Sequence, residues 1–215
     1  MNRERLLALL CAVQRGETDV EQAIEQLVRL PFVDVPGARV DTHRALRAGL
    51  PEVVFAPGKT AEQIVDIVGV LRSAEQDVLV TRVEPELADR VCDAIGSGYH
   101  DALARTLWFG PGEVAVQGKG TIAVVSAGTA DAPVAAEAAR VARCFGNKVD
   151  SLADVGVAGL HRLLASSDTL RTARVLIVVA GMEGALPSVV GGLVDKPVIG
   201  VPTSVGYGAS FGGMA

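Results

Sequence analysis

Three short apolar runs fix most of what the second half of this chain can become: TIAVVSA (121–127), RVLIVVA (174–180) and KPVIGVP (196–202). Each is rich in β-branched residues, lacks an alternating polar face, and is too short for a buried helix. Such runs are strands buried on both sides, the kind a parallel sheet requires. The segments between them carry helical patterns: an Ala/Val-rich stretch at 132–145, GLHRLLAS at 159–166, and residues 185–194. Lys148 to Asp154 adds a short strand and loop. Strand alternating with helix predicts an α/β fold with right-handed crossovers.

The first half is less regular. A helix is expected over about 3–14, and a second one from Thr18, with Glu21 in capping-box position and Pro31 as its stop. GARVDTHRALRAGLPEVVFAPGKT (37–60) is mixed in charge and rich in turns. Thr60 followed by Gln63 marks another helix start, and Ile64, Ile67, Val68 and Leu71 share one helical face. DVLVTRV (77–83) and ARTLWFG (104–110) are expected strands, with a helix opened by Pro85 and closed by Gly96 between them. The glycine-rich stretch 110–120 reads as a connector. It separates a smaller N-terminal α/β domain (1–115) from a C-terminal domain (116–215).

Composition narrows the function classes. Net charge is −5 without a basic cluster, which gives nucleic-acid binding no support. Apolar stretches break at Glu183 and at glycine and proline, short of the roughly 20 residues a spanning helix needs. MNRERLLALL is followed by Gln14, Arg15 and Glu17 rather than a cleavage site, so it reads as a helix and not a signal peptide. Cys11, Cys92 and Cys144 are scattered without metal-ligand spacing, which fits thiols in a reducing cytoplasm.

In parallel sheets ligands collect beyond the carboxyl ends of the strands. Three segments fall there: SAGTAD (126–131), AGMEGALP (180–187) and GVPTSVGYG (200–208). In the first, Gly128 permits a tight backbone, and the exposed N–H groups of a helix start favour an anion such as a phosphate. Asp131 has two readings, a helix cap contributing about 1 kcal/mol or a site residue. It is neither a Walker loop nor GxGxxG. The second segment is odder: GMEGALPSVVGG (181–192) holds four glycines and one acid, Glu183. A carboxylate there is expected to be partly desolvated and suited to proton transfer, or else to sit at a helix N-terminus where the dipole favours it. The third, continued to GVPTSVGYGAS (200–210), carries Ser204, Tyr207 and Ser210 among glycines, as an anion-holding or simply flexible loop. His161, like His43 and His100, reads first as a packed or half-exposed residue. Arg44, Arg47 and Lys59 flank PEVVF, where they are solvated by default or reach an anionic ligand.

The second half resembles the aminoimidazole-ribonucleotide carboxylase (PurE) family. SAGTAD corresponds to that family's Gly-Ser-x-Ser-Asp loop, LHR (160–162) to its Ala-His-Arg, AGMEGALP to its Ala-Gly-Gly-Ala-Ala-His-Leu-Pro, and PVIGVP to its Pro-Val-Leu-Gly-Val-Pro. Ala185 stands where those carboxylases have histidine, and Glu183 lies in the same loop. Together with DTHRALRAGLPEVVFAPGKT, VLVTR, VVSAGTADAPVAAEA and DVGVAGLHRLL, the chain resembles the LarB family over nearly its whole length.

That resemblance implies a three-layer, flavodoxin-like C-terminal domain and a role in building the nickel-pincer cofactor of lactate racemase. The implied reaction adds a carboxyl group, from carbon dioxide or bicarbonate, to carbon 5 of the pyridinium of nicotinic acid adenine dinucleotide. It also hydrolyses the phosphoanhydride to release AMP. A pyridinium is electron-poor, so a nucleophile must first add to the ring and make carbon 5 nucleophilic. The family uses a cysteine downstream of GYGASFGG. Cys11, Cys92 and Cys144 do not match that position, and the sequence stops at FGGMA, so a truncated chain is expected. Carried over residue by residue, Glu183, Asp131 and His161 are the catalytic candidates. Ser126, Gly128, Thr129, Gly181, Met182, Gly184, Ser204, Arg44 and Lys59 are the substrate-binding ones. No protein-held metal is expected, although magnesium could accompany the diphosphate. A cytoplasmic homo-octamer is the expected assembly. The alternatives are a PurE-type carboxylase or mutase and a nucleotide-binding module without turnover.

Overall fold

The structure, a computed structural model, describes residues 3–27 and 31–204. It divides into two compact units, Met1–Ala102 with Thr106–Gly112, and Leu103–Arg105 with Glu113–Ala215.

The N-terminal unit opens with helices α1 (Arg3–Gln14) and α2 (Val20–Leu27), followed by a hairpin of β1 (Phe32–Val35) and β2 (Ala38–Asp41). Pro36 and Gly37 make its turn, and Gly37 takes φ 76°, a conformation open to glycine without steric cost. Then come α3 (Arg44–Ala48), β3 (Val53–Phe55), α4 (Ala61–Ser73), β4 (Val78–Thr81), α5 (Pro85–Ile95), β5 (Tyr99–Asp101) and β6 (Thr106–Phe109). The sheet order is β3-β4-β6-β5, with β3 and β4 parallel and the other pairs antiparallel. Val54, Val78, Val80, Leu107 and Phe109 pack against Ile64, Val68 and Leu71 of α4 and Ala88 and Val91 of α5 in one core. The apolar stripe expected on α4 is therefore its buried face.

Thr60 and Gln63 form the expected capping box. Gly96 ends α5 at φ 71°. At α2 the start differs. The Thr18 amide is taken up in the turn that closes α1, donating to the Ala12 carbonyl, and Asp19 caps instead. Its carboxylate accepts from the Glu21 amide, and Gln22 reaches back to the Asp19 amide. The stop expected at Pro31 falls against residues 28–30, outside those described. The β1–β2 hairpin, α3 and β5 were not legible in the turn-rich sequence.

The C-terminal unit contains β7 (Thr121–Ser126), α6 (Ala132–Cys144), β8 (Lys148–Leu152), α7 (Leu160–Ala165), α8 (Ser167–Thr172), β9 (Val175–Ala180), α9 (Ala185–Leu193) and β10 (Val198–Pro202). All strands are parallel, in the order β10-β9-β7-β8. This is a flavodoxin-like sheet. The two apolar runs TIAVVS and VLIVVA take its centre, while KVDSL and VIGVP lie at the edges. Ala123, Val125, Leu176, Val178 and Ala180 form a core with Leu163 of α7, Leu170 of α8, and Leu186 and Val190 of α9. Strand alternation turns Val124 to the opposite face, and α6 packs on β7 and β8. Among the described residues no helix is long and apolar enough to cross a membrane.

Candidate functional site

The strand order places a topological switch point between β7 and β9. From β7 the chain moves outward to β8, then returns past β7 to β9 and β10. The crevice beyond the carboxyl ends of such a pair is where this architecture binds ligands. Two of the segments expected there, 126–131 and 180–187, leave β7 and β9 at this point. The third leaves β10, and Ser204 is its last described residue; Tyr207 and Ser210 lie outside the described residues.

Backbone bonds knit the three ends together. The Ala127 amide donates to the Val179 carbonyl, and the Thr203 amide donates to the Ala180 carbonyl. On the other side, Val155 and Gly156 donate to the carbonyls of Ser126 and Ala127. A Cβ at Gly156 would meet the Ala127 oxygen at 2.9 Å, so that approach requires glycine.

After β7, Gly128 starts a helical turn at Thr129–Asp131 that runs on into α6. The amides of Thr129 and Ala130 have no acceptor among the described residues. They face solvent at a helix N-terminus, the arrangement that favours an anion. Asp131 is only 5% exposed. It does not cap α6 in the forward direction. One of its oxygens accepts the Gly128 amide at 3.0 Å, and the other accepts the Thr203 hydroxyl at 2.6 Å.

After β9, residues 181–184 form a turn closed by the Gly184 amide on the Gly181 carbonyl at 3.0 Å. Met182 sits at φ 55° and Gly184 at 65°. A left-handed non-glycine residue costs about 1–2 kcal/mol, and such strain clusters at functional turns. The desolvation expected of Glu183 is not found. Its side chain is exposed, because the turn lifts it away from the core just ahead of α9. It fits the dipole reading, and only a ligand lying over the turn would desolvate it.

The remaining candidates divide by position. Ser126 is buried, Thr129 and Ser204 are exposed, and Gly128, Gly181 and Gly184 are half-buried. Together with Met182 they all lie on the ends of β7, β9 and β10. His161 is exposed on α7, beyond the loop that leaves β8. In that loop Asp154 pairs with Arg162, whose guanidinium lies across Gly159. Arg44 and Lys59 belong to the N-terminal unit. Arg44 is exposed at the start of α3. Lys59 donates to the Phe55 carbonyl at 2.8 Å. Arg47 pairs with Asp41 at 2.7 Å. No group of three or more His, Cys, Asp or Glu able to hold a metal occurs among the described residues. Thr203 falls within the third candidate segment but was not singled out there, because its partner Asp131 is distant in sequence.

Residues 32–111 match the LarB/PurE-like N-terminal domain, and residues 121–214 match AIR carboxylase. The uncharacterized protein MJ0165 of Methanocaldococcus jannaschii is 36% identical over 214 residues, covering 95% of this chain and 83% of its own length.

Proposed function

Because the chain belongs to the carboxylase family that joins a LarB/PurE-like N-terminal domain to an AIR carboxylase domain, we propose that it carboxylates carbon 5 of the pyridinium of nicotinic acid adenine dinucleotide and hydrolyses the phosphoanhydride. In the first reaction a ring hydrogen is exchanged for a carboxylate and leaves as a proton. In the second, water divides the diphosphate to give AMP and pyridinium-3,5-biscarboxylic acid mononucleotide. That product serves nickel-pincer cofactor synthesis.

The observation that carries this reading is the pairing of the two domains in one chain. The long N-terminal domain argues against a purine-pathway carboxylase, and Ala185 occupies the place of that enzyme's histidine. The strand-end geometry supports it. The free amides of Thr129 and Ala130 suit a phosphate or carboxylate. Glu183, on the strained turn, would move the ring proton once the substrate covers it. Gly181 and Gly184 leave room for the ring. Carbon dioxide or bicarbonate is the co-substrate, and a homo-octamer is the working form.

The test is to supply the dinucleotide and isotope-labelled bicarbonate to the protein, with aminoimidazole ribonucleotide in a parallel reaction, and follow the products by mass spectrometry. Labelled carboxyl in the ring with AMP released is the expected result. Label carried into aminoimidazole ribonucleotide in the parallel reaction, with none in the pyridine ring, would replace this reading with the PurE-type one. Binding of the dinucleotide without a change in mass would make the protein a nucleotide-binding module.

A further inference from the structure

We infer that Thr203 is a positioning residue for the strand-end site, holding the Asp131 carboxylate and, through it, the 128–131 turn in their ligand-ready arrangement. The inference rests on the functional reading above for what the site binds, but its geometry stands apart from that reading.

Asp131 and Thr203 are 72 residues apart in sequence, and both side chains are buried, at 5% and 3% exposure. Their contact is 2.6 Å, a short O–H···O bond in which the threonine hydroxyl donates. The other carboxylate oxygen is taken by the Gly128 amide. Among the described residues no Lys, Arg or His pairs with Asp131. It is therefore a buried carboxylate held by two neutral donors, and a buried carboxylate ordinarily has a cationic partner. Each oxygen keeps a lone pair, so the group has capacity left for a ligand.

The Thr203 backbone completes the arrangement. Its amide donates to the Ala180 carbonyl, the last residue of β9. One residue at the end of β10 thus fixes the exit of β9 by its backbone and the turn after β7 by its side chain. Without the hydroxyl, one Asp131 oxygen loses its only donor among the described residues while buried. The carboxylate would then rotate toward water, and its grip on the Gly128 amide would weaken. The Thr129 and Ala130 amides would lose their fixed direction, which is what an oriented ligand needs.

The experiment compares Thr203→Val, Thr203→Ser and Asp131→Asn with the wild-type full chain by hydrogen exchange and by turnover. In Thr203→Val, peptides covering 126–132 should exchange about tenfold faster or more, while those covering α4 stay at the wild-type rate. Thr203→Ser, which keeps the hydroxyl, should restore the slow rate. With the dinucleotide as substrate, kcat should fall about tenfold or more in Thr203→Val, with a smaller change in KM. Adding Thr203→Val to Asp131→Asn should cost little more than Asp131→Asn alone, because the two side chains act as one unit. Faster exchange throughout both units, or Thr203→Ser behaving like Thr203→Val, would mean a purely structural threonine and overturn the inference. If Thr203→Val does not fold, Thr203→Ser and Asp131→Asn decide it: exchange at 126–132 accelerated in Asp131→Asn and normal in Thr203→Ser supports the inference, and any other pattern overturns it. The local exchange effect in the variants, beside a wild-type protein that leaves the dinucleotide unchanged, would support this inference while removing the proposed reaction.

Discussion

Two strand-to-helix junctions in this molecule are built from similar parts and end differently. At the β3–α4 junction the chain closes on itself. Thr60 accepts from the Gln63 amide, Gln63 accepts from the Thr60 amide, and Lys59 donates to the Phe55 carbonyl. At the β7–α6 junction the side chain that should cap forward reaches back to Gly128 and across to Thr203, leaving the amides of Thr129 and Ala130 open. The first junction spends its polar groups on the fold. The second uses a buried carboxylate to hold a surface whose donors are left for something else. The β9–α9 junction belongs with the second kind, since Met182 is strained and Glu183 has no partner among the described residues that would explain the strain.

The sharpest way to test that division is Glu183→Gln. If the β9–α9 turn serves proton transfer, turnover of the dinucleotide should fall about 10²–10⁴-fold with an unchanged unfolding midpoint. Near-normal turnover would return Glu183 to a dipole-matched surface acid and leave the β7–α6 junction alone as the functional one. Next in size is Leu176→Ala. Leu176 is fully buried in β9, in the core beneath both open junctions. The loss should be about 2–5 kcal/mol in denaturant unfolding. A much smaller value would mean the parallel sheet is loosely packed and cannot hold its strand ends rigid. Thr60→Ala probes the closed junction. It should cost about 1 kcal/mol of stability and leave turnover unaltered. A drop in turnover beyond what the stability loss explains would show that the β3–α4 junction also serves the ligand.

The same contrast explains what the sequence made legible. β7 and β9 were readable because burial on both faces leaves nothing but β-branched and small residues in TIAVVS and VLIVVA. Thr60 with Gln63 was readable because a capping box is local, spanning three residues. The β1–β2 hairpin was not, since FVDV and ARVD are short and carry charges on their open face, and Pro36–Gly37 was its one signal. Asp131 was visible as a candidate, with capping and site roles left open, because its partner Thr203 is distant in sequence. The exposure of Glu183 depends on the fold of a turn whose φ values no spacing rule predicts. Local rules therefore found the elements and named the loops, while the long-range bond that arranges the site had to come from the structure.

The smallest effect concerns an ordinary ion pair, and it marks the difference between a buried carboxylate held by neutral donors and a partly buried one held by a cation. Asp41 is partly buried, which alone would raise its pKa. The Arg47 guanidinium and the amides of His43 and Arg44 outweigh that burial, and the carboxyl lies below its ordinary value. A carboxylate depressed in the folded state contributes stability that is fully present above the unfolded value, about 3.9 for Asp. The contribution is lost as pH falls through the lower folded value. Arg47 is more than half exposed, so Arg47→Ala should lower stability by less than about 1 kcal/mol at pH 7. The gap between variant and wild type should close as Asp41 takes up its proton. Denaturant midpoints of both proteins, measured from pH 7 down through the acid range, check this. A gap that persists at the acid end would assign the loss to packing of the Arg47 stem on its surroundings, and the charge on Asp41 would then contribute nothing measurable to the N-terminal unit.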